Sequence, residues 1–178
     1  MNGSRGNYRS TARRGATCLG LLVVANFTAS PVRAGSPSER GSAAQFGLPV
    51  HLALRQAVKK LAHPECQLVY ADFRDPRGMT LQESLTERGE SGAAHFLGVV
   101  FEDGDRKPPC QRGGILAFTS PGSGTVQLCT QHFTRAFHDD AEVAVATLIH
   151  EQLHTLGLLE NPPTSREITD RVLQRCGR

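Results

Sequence analysis

The sequence predicts an α+β domain in which a mixed sheet of about four strands packs on one long helix, with a further helix at the C-terminal end. Three observations carry this expectation. Short apolar runs bounded by Gly, Pro and Ser alternate with helical patterns from residue 48 onward. The longest periodic segment, residues 139–156, contains no Gly or Pro. The composition is that of an ordinary globular chain, with 178 residues of which 39% are hydrophobic and 21% charged, and this excludes a collagen, a coiled coil or a disordered polymer.

The first 34 residues stand apart, because they hold five arginines (Arg5, Arg9, Arg13, Arg14, Arg33) and no acid. Residues 1–15 are polar, residues 16–29 are mostly small and apolar, and Val32-Arg33-Ala34 offers small residues at the two positions that define a cleavage site. This layout predicts a secretory signal peptide over residues 1–34 and a secreted or periplasmic location, with Arg13-Arg14 leaving the export route open. The apolar run, interrupted by Asn26 and Thr28, falls short of the ~20 residues that cross a bilayer, so no stable membrane anchor is expected once the leader is removed. Most of the formal charge of +3 sits in this leader, and the remainder has 15 basic against 17 acidic groups. Nucleic acid is therefore not the expected partner, and the chain is expected to be a monomer.

Residues 35–47, rich in Ser, Gly and Pro, read as a flexible lead-in to a single domain over residues 48–178. Residues 51–62 place Leu54, Val58 and Leu61 at helical spacing, and His63-Pro64 ends the helix. Residues 67–73 alternate as a strand, and Thr80-Leu-Gln-Glu83 is a capping box that opens a short helix ending near Gly89. Residues 96–101 read as a second strand, and residues 115–119 and 125–129 as two more, joined by the turn Ser120-Pro-Gly-Ser-Gly124. A helix over residues 164–176 follows. With Cys18 in the leader, Cys66, Cys110, Cys129 and Cys176 form an even set, which in an exported chain predicts two disulfides. Of the three possible pairings, the hairpin favours Cys110 with Cys129, leaving Cys66 for Cys176.

Chemistry concentrates in residues 147–160. Asp139 followed by Glu142 is a capping-box-like start, and Gly157 can close the helix in the left-handed conformation. At about 100° per residue, His150 and His154 lie about 40° apart, one turn above the other, so both imidazoles converge on one point. Leu148, Val145, Leu156, Ile149 and Leu153 fill an arc from about 160° to about 300°, which assigns that side to the core and turns the histidines outward. Glu151 lies beside the pair and suits a proton-handling carboxylate more than a ligand. Two neutral imidazoles and a carboxylate form a competent zinc site, and a zinc-bound water is acidic enough to attack an amide near neutral pH.

These residues resemble the zincin metallopeptidases, and His150-Glu-x-x-His154-x-x-Gly157-x-x-Glu160 is similar to the longer signature of the metzincin branch. The wider run IHEQLHTLGLLENPP resembles that of small exported bacterial proteins of this type. The last methionine is Met79, so the methionine turn of the metzincins has no counterpart, and the resemblance is carried at the level of the zincins. It implies a zincin-like fold, with a cleft between the histidine helix and an antiparallel edge strand, here residues 115–119 or 125–129. It implies Zn2+ as cofactor, held by His150, His154 and Glu160, with Glu151 as general base. Glu167, on the last helix, Asp170 and a distant histidine are rival third ligands, although Thr164-x-x-Glu167 also reads as a capping box. The expected function is an exported zinc metallopeptidase acting on a peptide or protein substrate. The alternatives are a disulfide-stapled exported zinc-binding protein without turnover, and a zinc amidase acting on cell-wall peptides. His51, His63, His95, His132 and His138 are read as surface or capping residues, and Glu102, Asp103 and Asp105 as a solvated turn that lacks the calcium-loop pattern.

Overall fold

The computed structural model describes residues 46–177, so the expected leader and residues 35–45 of the lead-in lie outside the described residues. The described part is α+β. Its chain order is α1 (Leu48–Leu61), α2 (Pro64–Gln67), α3 (Val69–Asp72), α4 (Leu81–Arg88), α5 (Gly92–Gly98), β1 (Val100–Asp103), α6 (Pro108–Gln111), β2 (Ala117–Phe118), β3 (Thr125–Leu128), α7 (Thr130–Asp139), α8 (Ala141–Thr155) and α9 (Ser165–Cys176). No helix among the described residues is long and apolar enough to cross a membrane.

The central element is α8, which packs against α1, α7, α9 and the sheet. Its start is set by Asp140, whose carboxylate accepts from the amides of Glu142 (3.0 Å) and Val143 (3.2 Å). The cap is thus one residue later than expected, because Asp139 still belongs to α7. The whole predicted apolar arc is buried, and α1 presents small Ala53 and Ala57, both fully buried, which lets the two helices approach closely. The histidine side does not face solvent as the wheel suggested: from Ala144 to Thr155 every residue but Thr147 is buried. A helix wheel reports one amphipathic face, and α8 has neighbours all round.

The sheet is mixed, as expected, but has three strands among the described residues, in the order β1-β3-β2. β1 runs parallel to β3, and β2 pairs antiparallel with β3, Ala117 opposite Leu128 and Phe118 opposite Gln127. The missing fourth strand is the segment 67–73, which is helical. Its buried residues Val69, Tyr70 and Phe73 continue at helical spacing from the buried Cys66 just before it, while Leu68 is 45% exposed, so the alternation read there was the weaker of two periods. Likewise Ser91 caps α5 by accepting from the Ala94 amide at 3.1 Å, and the strand begins only at Val100 instead of residue 96. Helix α7 was not anticipated. The Gln131 amide donates to Asp105 at 3.2 Å, so a carboxylate distant in sequence takes a free amide of its first turn, and the Thr130 hydroxyl donates to Asp103 at 2.9 Å, anchoring its first residue.

The two disulfides are those expected, Cys66–Cys176 and Cys110–Cys129. The first ties α2 to α9, and the second ties α6 to the end of β3. The capping boxes Thr80/Glu83 and Thr164/Glu167 also form as predicted.

One polar network runs through the core. The Tyr70 hydroxyl donates to Gln152 Oε1 at 2.9 Å, and Gln152 Nε2 donates to the Gly92 carbonyl at 2.6 Å. Any Cβ at residue 92 would overlap the Tyr70 ring, so glycine is required there. Burial holds the Tyr70 phenol well above its ordinary value, against the opposing effect of the Gln152 hydrogen bond. Above about pH 10 the unfolded chain releases this proton while the folded chain keeps it, so stability should fall with rising pH by up to about 1.4 kcal/mol per pH unit. In a Tyr8→Phe variant, where Tyr70 is the remaining tyrosine, phenolate absorbance should appear only together with loss of helical circular dichroism. Phenolate formation in a chain with intact helix signal would contradict the burial.

Candidate metal centre

Helix α8 carries His150 and His154 one turn apart, and their Nε2 atoms lie 3.0 Å from each other. The helix then ends in two hydrogen bonds: the Gly157 amide donates to the His154 carbonyl (2.8 Å) and the Leu158 amide to the Leu153 carbonyl (3.2 Å), with Gly157 at φ +103°. Glycine is required at that angle, and the reversal it allows brings Glu160 back over the histidines. Glu160 Oε1 lies 3.5 Å from His150 Nε2 and 3.3 Å from His154 Nε2. Among the described residues, His150, His154 and Glu160 form a group that could hold a metal ion, with ligand atoms all within 4.8 Å of one another.

The donor chemistry fits a cation. His154 Nδ1 lies 2.8 Å from the Leu158 carbonyl, an acceptor only, so the ring proton sits on Nδ1 and Nε2 presents a lone pair. His150 Nδ1 lies 2.9 Å from the Thr169 hydroxyl on α9. Burial, and then the adjacent His154, push the His150 imidazole down to about 4 against the opposing pull of Glu160, so the ring is neutral at pH 7, as a ligand must be.

Glu151 is 7% exposed and lies beside this group. Burial, with the charge of Glu160 added, pushes its carboxyl up to about 8, and a hydrogen bond from the Thr119 amide opposes the shift. Thr119 directly follows the edge strand β2, so one end of that strand touches the carboxylate. The turn beyond it is fixed to the same helix, as the Gly122 amide donates to the His154 carbonyl at 2.8 Å.

Of the candidate third ligands, the structure brings Glu160 to the histidines. Glu167 is occupied as a helix cap, accepting from the Thr164 amide at 2.7 Å, and Asp170 faces Arg166 at 3.6 Å. None of His51, His63, His95, His132 and His138 joins the group among the described residues. His95 has a structural task that its sequence position did not reveal: it spans Glu90 (3.1 Å) and the Thr155 hydroxyl (2.9 Å), tying α5 to the end of α8. Thr169 and Thr119 were also not singled out from sequence, since neither has a fixed spacing to the histidine motif. No family model, curated protein or solved structure matches the chain.

Proposed function

We propose that this protein is an exported zinc-dependent metallopeptidase. The observation that carries the reading is the convergence of His150 Nε2, His154 Nε2 and Glu160 Oε1 beside the buried carboxyl of Glu151. His150, His154 and Glu160 would hold a zinc ion with three protein groups and leave it open to water or substrate, which favours turnover over a closed structural site. A zinc ion held there supplies Lewis acidity, polarising a carbonyl and making water acidic near neutral pH. Glu151 then takes the proton of the attacking water and returns it to the leaving amine. The edge strand β2, which ends at Glu151, offers backbone groups along which an extended peptide can lie. Two disulfides support an oxidising compartment, consistent with export.

Elemental analysis after dialysis against a weak chelator is expected to give one zinc per chain. His150→Ala and His154→Ala should abolish binding, Glu160→Gln should weaken it by at least about tenfold, and Glu167→Gln should leave it unchanged. A folded wild-type chain without zinc after reconstitution, or undiminished affinity in Glu160→Gln, rejects the assignment. Cleavage of a random peptide library separates a peptidase from a zinc-binding protein without turnover, and cleavage confined to cell-wall peptides identifies an amidase.

A further inference from the structure

The two histidines of the metal centre are oriented in different ways. His154 is held by a main-chain carbonyl, that of Leu158, which is present whatever the side chain. His150 is held by a side chain, the hydroxyl of Thr169, which lies on another helix. A carbonyl can only accept, whereas a hydroxyl can donate or accept. The state of His150 therefore depends on Thr169, and two arrangements compete. In one, Nδ1–H donates to Thr169 and the Nε2 lone pair is directed at the cluster. In the other, Thr169 donates to Nδ1, and Nε2–H donates to His154 Nε2, 3.0 Å away, which withdraws both nitrogens from an ion.

We propose that Thr169 is a positioning residue of the metal centre, accepting the Nδ1 proton of His150 and thereby committing the Nε2 lone pair to the ion. The inference rests on His150, His154 and Glu160 being a metal site. Helix α9 is built to hold this hydroxyl in place. Ile168 and Val172, on either side of Thr169 in sequence, are fully buried. Further along, Arg175 donates to both oxygens of Asp72 at 2.8 and 3.0 Å, and Cys176 is bonded to Cys66. Threonine is itself stiff about χ1, so its oxygen has few alternative positions once the helix is docked. A hydrogen bond to the far nitrogen of a ligating histidine fixes its tautomer and ring orientation and raises its basicity, and losing such a partner typically weakens metal binding by about 10–100-fold.

The test is a Zn2+ titration of the full-length protein against a chromophoric chelator, with Thr169→Val and Thr169→Ser beside wild type. Valine keeps the β-branched shape without the hydroxyl, and serine keeps the hydroxyl. Thr169→Val is expected to bind about 10–100-fold more weakly. Thr169→Ser should recover most of the wild-type affinity, and the thermal midpoints of all three metal-free proteins should agree closely. Equal affinity in Thr169→Val overturns the inference while leaving the metal site intact. Equal weakening in valine and serine variants also overturns it, since the hydroxyl would then not be the determinant. A folded wild-type protein that binds no Zn2+ overturns the metal site and the inference together.

Discussion

Glu151→Gln is expected to retain zinc and to lose peptide hydrolysis by about 10²–10⁴-fold. The substitution is nearly isosteric, and its amide oxygen still accepts from the Thr119 amide, so the site should keep its shape. What it removes is the ability to take a proton. Glu151 is suited to that task by its place: it is buried beside the two histidines on α8, and its carboxylate accepts from the Thr119 amide. There its carboxylate can take a proton from a water at the cluster, and in its protonated form it can deliver that proton to a leaving amine. Hydrolysis at the wild-type rate in the variant would exclude Glu151 as the base. Loss of zinc along with activity would instead make Glu151 part of the metal-holding structure.

The candidate site was legible in the sequence because its geometry is local. One helical turn sets His150 against His154, and one glycine-dependent reversal at Gly157 returns Glu160 to them, so eleven residues contain all three candidate ligands. The disulfide pairing was legible for a similar reason, since the hairpin of β2 and β3 fixes one bond and leaves the other by elimination. What escaped is what depends on distant partners. The anchors of the start of α7 come from Asp103 and Asp105, the partner of His150 from α9, and the hydrogen bond on Glu151 from the residue after β2. The segment 67–73 failed differently: its apolar residues fit both periods, and only the packing that buries Val69 and Tyr70 while exposing Leu68 selects the helix.

Removing the Cys66–Cys176 bond, by replacing both residues with alanine, is expected to destabilise the protein by about 4–5 kcal/mol, against about 3 kcal/mol for the Cys110–Cys129 pair. The difference follows from separation along the chain. The first bond closes 110 residues and the second 19, so the first removes more conformational freedom from the unfolded state. For a domain whose whole stability is about 5–15 kcal/mol, the larger loss is a substantial fraction. It also falls on the helix that reaches the candidate metal centre. With the bond gone, α9 is still held by Ile168 and Val172, by Arg171 and Arg175 on Asp72 and by Lys60 on the Cys176 carbonyl, and it is α9 that carries Thr169 to His150. Zinc affinity should therefore drop in the Cys66/Cys176 variant even below its unfolding temperature, and stay near wild type in the Cys110/Cys129 variant. Denaturant midpoints measured without metal give the stabilities, and a Zn2+ titration gives the affinities. Equal losses of stability in the two variants would show that the unfolded chain is already constrained, and unchanged affinity in the first would mean that α9 stays docked by packing alone.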